Sequence, residues 1–499
     1  MARADARPSL PDADAPDPNR WRALWVTLVA GFMSLLDVSI VSVALPSMQQ
    51  SLGADPAAVQ WIVSGYALTF GLMLVPAGRL GDEFGRRRMF LGALAAFVLF
   101  SGLAGAAPNI ELLVAARLAQ GLAAGALAPQ NSGLIQQLFR DAERGRAFGF
   151  FGATVGISTA VGPVVGGLIL ALAGGPDGWR WIFFVNVPIG VVALVLAARL
   201  IPGRTDGGHT GSIDVVGSVL LGCGVLAVLF PLAQAESGGI ARWWWLFVVG
   251  AALVAVFAAW ERRVLGRGGE PLLDPRLLTR TRGFATGVAL GTVYFLGFAG
   301  IWLVFALFLQ AGLGYTPLQS GLSVTAFALG SAVSAAVGGR LVERFGRRLT
   351  VIGLIGVLTG LVTTIFVVLL VPAEGLMGAM APALLVAGIG GGLVISPNVT
   401  LTLRAVPVRM AGSAGGALQT GQRIGAAIGT AALPAVYYLE LDATGQNFPL
   451  AAAVALSVAV LSVTAALVIA VLDLRHERSV AHRRCTEEET HSYDHAAHG

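Results

Sequence analysis

The sequence specifies an all-α polytopic membrane protein: two six-helix bundles with two helices inserted between them, about fourteen transmembrane helices in all. Three observations carry this reading. The chain of 499 residues is 56% hydrophobic and only 12% charged, with a mean hydropathy of +0.76, far outside the range of ordinary soluble domains. Apolar runs of roughly 20 residues, the length a helix needs to cross a ~30 Å hydrocarbon core, recur from Trp25 to Val471. Finally the chain repeats itself: "GRLGDEFGRR" at 78–87 returns as "GRLVERFGRR" at 339–348, identical at seven of ten positions. The offset of roughly 260 residues suits eight helices with their loops better than six.

The segment 1–21 is polar and proline-rich and is expected to be a disordered cytoplasmic tail, with no apolar stretch of its own to act as a signal peptide. Six spans then follow at 22–45, 58–79, 89–107, 110–138, 146–172 and 179–201, forming the first bundle, 22–201. Two more, at 213–233 and 243–264, lie in an inserted segment, 202–281, with cytoplasmic linkers. The second bundle, 282–473, comprises spans at 282–310, 318–341, 350–371, 377–403, 410–437 and 449–472. Residues 474–499 read as a second disordered cytoplasmic tail, in which His491, His495 and His498 have nothing apolar to order them as a metal site.

Arginine placement orients the chain, because positive loops stay on the cytoplasmic side. Alternate loops carry Arg79, Arg86, Arg87 and Arg88, then Arg140, Arg144 and Arg146, and later Arg340, Arg344, Arg347 and Arg348; the opposite loops hold only Arg180 and Arg242. Both termini are therefore expected inside. Trp179, Trp181 and "RWWWLF" at 242–247 fall at expected outer boundaries, where indoles favour the headgroups. The net charge of +5 thus reflects topology and implies no nucleic-acid partner. The chain has two cysteines, Cys223 and Cys485, and no lysine, so neither a disulfide or metal framework nor a P-loop or Schiff-base cofactor is implied. No catalytic pair is present either, and the chain reads as a non-enzyme without cofactor or metal.

At the repeated loop the resemblance becomes specific. "GRLGDEFGRRR" resembles the loop signature of the major facilitator superfamily, and further stretches narrow it to the fourteen-helix drug:proton antiporter family. "LDVSIVSVALP" is similar to that family's first-helix signature, "RLAQGLAAGA" at 117–126 to its fourth, and "GISTAVGPVVGG" at 156–167 to the antiporter motif of its fifth; "WRWIFFVNVPIG" at 179–190 matches its sixth-helix entry. Ser39 and Ser42 depart from the family pattern, which more often has threonine and asparagine.

Asp37 stands nine residues before Pro46, taken as the outer helix end, and so roughly 13 Å deep. Insertion scales put such a carboxylate at about +2.5 to +3.5 kcal/mol. Glu111, Asp214, Glu261 and Asp473 fall near span ends, where water is expected to reach them. Asp37 is thus either a buried proton carrier or half of a static ion pair tying two helices. Desolvation favours its neutral form and a nearby cation its charged form. Arg117 is its expected partner, with Gln120, Gly121 and Ala124 on the same helical face; the resemblance associates this arginine with proton coupling. For gating, the resemblance assigns Asp82 and a following arginine to a latch between the bundles in the outward-open state, with Gly78, Gly81, Gly85, Arg86 and Arg87 in the same motif, while Glu343 replaces the aspartate in the second copy. Gly156, Gly162, Pro163, Gly166 and Gly167 are expected to seal and hinge the bundles rather than touch substrate. Candidates to line a substrate cavity are Asp37, Gln120, Trp61, Tyr66, Tyr294, Trp302, Asn398, Gln419 and Arg423. Aromatic residues at such spacing also pack in cores or face lipid, and Arg423 either lines a wet cavity, contacts Asn398 or carbonyls, or meets a substrate acceptor.

Together these features imply a proton-coupled antiporter in a bacterial cytoplasmic membrane, exporting amphiphilic drugs or antibiotics and working as a monomer with the bilayer and protons as its other partners. A proton symporter or facilitator for a small nutrient is the alternative.

Overall fold

The computed structural model describes residues 17–54, 56–203, 214–235 and 238–497. Lipid offers no hydrogen bonds to a backbone, so apolar runs of this length close their bonds internally as helices. In order these are α1 Arg20–Leu52, α2 Pro56–Phe84, α3 Arg86–Gly105, α4 Ile110–Leu138, α5 Asp141–Ala173, α6 Arg180–Phe184, α7 Asn186–Leu200, α8 Val215–Ala233, α9 Gly239–Trp243 and α10 Trp245–Gly266. There follow α11 Pro275–Arg280, α12 Phe284–Ala306, α13 Pro317–Phe345, α14 Arg347–Leu370, α15 Ala373–Arg404, α16 Ala411–Ala443 and α17 Phe448–Ala497. A π-helical turn, Leu307–Gly312, extends α12. Among the described residues thirteen stretches are long and apolar enough to span a bilayer, and α5, with its apolar part Val164–Ala173, completes the expected fourteen.

Local chemistry sets several boundaries. The Asn109 side chain accepts from the Leu112 amide at the start of α4, and Thr316 with Gln319 forms a capping box at α13. Gly85, between α2 and α3, has φ +98°, and its repeat counterpart Gly346 has φ +52°. Both sit where L side chains are strained, which accounts for the glycine in both copies of the repeat.

Several expected edges move. Pro46 lies inside α1, which continues to Leu52; proline is tolerated in membrane helices where neighbours and local adjustments satisfy the freed carbonyl. Asp37 is therefore about 22 Å from the outer helix end rather than 13 Å. The sixth span is broken at Val185 into α6 and α7. The tail expected to be disordered from 474 continues α17 to Ala497, so His491 and His495 lie on a helix, whereas His498, like residues 1–16 of the other tail, falls outside the described residues. Trp179, at the start of the sixth span, is fully buried against protein, while Trp181 and Trp244 are exposed. Glu261 and Asp473, expected to be wet, are 1% and 8% exposed.

The bundles pack through small residues. Gly353 and Gly390 bring α14 onto α15, and Gly388 and Gly392 bring α15 onto α13, with backbones too close for any side chain between them. Between the bundles, α2 faces α16, and α5 faces α13 and α15. The inserted α8 lies against both α2 and α16: Val225 and Leu229 pack with Leu68, Trp61, Ile424 and Ala427.

Candidate functional site

Asp37 and Arg117 meet inside the first bundle. Asp37 Oδ2 is 2.5 Å from an Arg117 terminal nitrogen, with the side chains 0% and 1% exposed. Asp37 Oδ1 accepts from Gln120 Nε2 and from Asn186 Nδ2, both at 3.2 Å. Arg117 also donates to Gln120 Oε1 at 2.7 Å and to the Ile62 carbonyl at 3.1 Å. Its guanidinium carbon lies 4.1 Å from the centre of the Tyr66 ring, whose hydroxyl donates to the Ser34 carbonyl. Every oxygen of the carboxylate and most guanidinium donors are satisfied, as a buried charge pair requires. Protonating Asp37 would remove the charge that holds Arg117 and release the pair.

Asn186 was not singled out from sequence. It bridges Asp37 to Ser101 Oγ, which donates in turn to the Phe183 carbonyl. The break between α6 and α7 puts this side chain at the first turn of α7, and the only signal was its place in "FVNVPIG".

The second cluster closes the arginine-rich end. Asp82, near the end of α2, accepts from the amides of Gly412 and Ser413, each at 2.9 Å, and from Ser413 Oγ at 3.2 Å. These amides belong to the first turn of α16, where backbone donors lack intrahelical acceptors and the helix dipole favours an anion. Asp82 thus caps a helix of the opposite bundle. Arg86 holds the cap: it donates to Asp82 Oδ1 at 2.8 Å, to the Gly133 carbonyl at 2.9 Å and to the Val408 carbonyl. Gly78 touches Gly412 backbone to backbone, and a Cβ at Gly81 would overlap Gln130. Arg87 takes no part; it donates to the Ala198 carbonyl within its own bundle.

The repeat keeps the close approach and drops the cap. Gly339 meets the Gly145 carbonyl of α5 as Gly78 meets Gly412, but Glu343 is exposed and has no bond across the seam among the described residues. Arg347, counterpart of Arg86, turns inward to Asp473 Oδ2 at 2.7 Å and Asn398 Oδ1 at 2.8 Å. Replacing Asp82 by alanine is expected to cost about 1–2 kcal/mol in the closed arrangement of this end, a roughly tenfold shift toward opening. Nitroxide labels at the exposed positions Arg88 and Arg409 would report it as a longer distance distribution.

The α5 motif divides its contacts. Gly156 faces Ser331 of α13 across the seam, whereas Gly162 and Gly166 receive Ser39 and Ile40 of α1 in the same bundle, and Gly167 faces open space. The expected sealing of the two bundles by this motif therefore rests on Gly156, joined by Gly152 against Ser396. The side chain of Pro163 lies outside the described residues.

The expected cavity residues do not share one surface. Asp37, Gln120 and Tyr66 are sealed in the first bundle at 2%, 0% and 1% exposure, because their polar atoms satisfy one another. Asn398 is committed to Arg347 and to the Gly287 carbonyl. Tyr294 and Trp302 line a small enclosed apolar void within the second bundle beside Phe298, Phe305 and Phe327, facing its core rather than the seam. Gln419 crosses the seam to the Ala128 carbonyl and Ser132 Oγ, both at 3.4 Å. Trp61 borders an open groove of about 410 Å³ between α2 and α4 with Glu111 at its rim. Arg423 of α16 reaches across to α2, its guanidinium carbon 4.3 Å from the Phe70 ring centre.

The family model of the Major Facilitator Superfamily matches residues 27–214 and 288–491. The chain belongs to that superfamily. It is a membrane transporter and not an enzyme. As a superfamily member it resembles the "Probable actinorhodin transporter" of Streptomyces coelicolor, 36% identical over 87% of this chain and 78% of that protein. The "Puromycin resistance protein" of Streptomyces alboniger is 36% identical over 93% of each chain. The "Tetracenomycin C resistance and export protein" of Streptomyces glaucescens is 32% identical over 86% of this chain and 77% of that one. Among solved structures, the human organic anion transporter MFSD10 aligns at TM-score 0.66 and 14% identity, over 91% of this chain and all of that one. The proton:xylose symporter XylE aligns at 0.61 and 16%, over 89% and 94%. Both likenesses establish the superfamily fold, with the matched halves flanking the stretch that holds α8 and α10.

Proposed function

We propose that this chain is a proton-coupled antiporter that exports amphiphilic drugs or antibiotics from the cytoplasm or inner leaflet by alternating access. The observation that carries the export reading is its similarity, over most of its length, to proteins named for puromycin resistance and for tetracenomycin C resistance and export. The sealed Asp37–Arg117 pair supports proton coupling, since an intramembrane carboxylate with a releasable cation partner is a natural relay. No cofactor is needed; the proton gradient supplies the energy.

In this reading the arginine-rich end is cytoplasmic and both termini lie inside a bacterial inner membrane, in keeping with an even number of spans and the positive-inside rule. Units 22–201 and 282–473 rock against each other, with 202–281 as the inserted pair. The Asp82 cap and the Gly78–Gly412 contact close the cytoplasmic end, as expected of an outward-facing state. Asp37 is still paired there, so this arrangement precedes proton uptake from outside. Protonation frees Arg117, and return to the inward-facing state delivers the proton to the cytoplasm. Proton and cargo binding are then mutually unfavourable, as exchange requires. The chain works as a monomer, with protons, cargo and the bilayer as its partners.

The test uses purified protein in proteoliposomes loaded with tetracenomycin C, with a proton gradient imposed inward in the sense of the cell. Gradient-dependent efflux above that of protein-free vesicles is expected. Accumulation in the direction of proton flow would establish symport instead.

A further inference from the structure

Among the described residues Arg423 is a charge without a counter-charge. It stands twelve residues into α16, roughly 18 Å from the arginine-rich end and hence near the bilayer middle. Other arginines within the bundles meet carboxylates: Arg86 with Asp82, Arg117 with Asp37, Arg347 with Asp473. Among the described residues Arg423 makes neither a hydrogen bond nor an ion pair, and it is partly exposed. It lies against the face of Phe70, on a helix of the opposite bundle. A cation at this depth costs about 2.5–3.5 kcal/mol on insertion scales, and a cation–π contact returns about 0.5–2 kcal/mol. The donors of its planar five-donor fork are left to water or a ligand.

The position is also the right one for a ligand. Along α16 the seam is shut at Gly412 against Gly78, at Gly416 against Leu74, and at Gln419 against α4. Arg423 is one turn beyond that closure. Phe70 and Tyr66 on α2 are buried, Phe70 beneath the guanidinium itself, while Phe230 of α8 and Ile424 and Ala427 of α16 form a half-buried apolar surface alongside. Such a setting recognises a flat ring system through its faces and an acidic oxygen through the guanidinium, which matches a carboxylate bidentately.

We propose that Arg423 is the anion site for cargo, and that the exported class is aromatic acids, with the carboxylate or ionised phenol on Arg423 and the rings on the apolar surface beside it. This rests on the export reading above and narrows it.

The probes are anthracene-9-carboxylate and its uncharged analogue anthracene-9-carboxamide, titrated onto the full-length protein in detergent at neutral pH with tryptophan fluorescence as readout. The wild type should bind the acid at least tenfold tighter than the amide. Arg423→Gln should lose that tenfold preference while binding the amide unchanged, and Arg423→Lys, which keeps the charge, should restore part of it. An unaltered size-exclusion profile guards against misfolding. Equal binding of acid and amide by the wild type, no binding of the acid, or a preference that survives Arg423→Gln each overturns the anion site. A parallel toxicity screen in an efflux-deficient host separates the two readings. Protection against acidic aromatics supports the site. Protection confined to cationic or neutral compounds overturns it and leaves export standing, and protection against none overturns export itself.

Discussion

Asp37→Asn should reduce proton-driven efflux by at least about 100-fold while leaving exchange of cargo for cargo in the absence of a gradient close to normal. The substitution conserves volume and keeps one carbonyl oxygen for Gln120 or Asn186, which now donate to Asp37 Oδ1. It removes the one group in the cluster that gains and loses a proton between the inward and outward states of the proposed cycle. Arg117 keeps Gln120, the Ile62 carbonyl and the Tyr66 ring. The loss should therefore fall below the about 3–5 kcal/mol of a fully broken buried pair, and the protein should still express and elute as a single species. In proteoliposomes the wild type should export faster as the external face is acidified, whereas the variant should show a flat profile. A normal pH dependence in Asp37→Asn would remove this residue from the coupling mechanism and leave the ion pair as a static tie.

That experiment bears on the part of the site that was most legible in the sequence. Asp37 and Arg117 announce themselves because a charge in an apolar run is costly wherever the helix packs, so depth along the chain suffices to find them. Which way a side chain faces is a different quantity, and hydropathy does not contain it. Glu261 and Asp473 were read as wet from their place near span ends, yet they are covered laterally, Asp473 by Arg347 of another helix. Tyr294 and Trp302 had the spacing of a cavity wall and line the core of one bundle instead. Asn186 carries no charge, so its insertion penalty is small and only the three-dimensional convergence of α1, α4 and α7 reveals it. The repeat was the more informative signal for gating, since it located both glycine contacts. The replacement of Asp82 by Glu343 already set the second copy apart, and among the described residues Glu343 makes no cap, while Arg347 points into its own bundle.

Placing a methyl group at the seam should have the other large effect. A Cβ at Gly78 would lie 2.3 Å from the Gly412 carbonyl oxygen and 2.6 Å from its carbon, and one at Gly412 would lie 2.4 Å from the Gly78 oxygen. These are backbone atoms of two long helices, which no rotamer change can move aside, so the bundles must separate at this end for the variant to form at all. Neither helix suffers, because alanine is a better helix former than glycine by about 1 kcal/mol. Gly78→Ala and Gly412→Ala are therefore expected to fold and to lose the closed arrangement by about 1–3 kcal/mol, a population change of roughly 5- to 150-fold. Transport should fall by a similar factor, since a protein that cannot close one end cannot alternate. Label distances between Arg88 and Arg409, measured with Cys223 and Cys485 replaced by serine, should lengthen by several ångströms, more than in Asp82→Ala, where only hydrogen bonds are lost and the backbones still fit. Gly92→Ala, whose Cβ would meet nothing within 4 Å, supplies the control and should leave both readouts unchanged. If Gly78→Ala transports normally, the Gly78–Gly412 contact is not the closed end of the transport cycle.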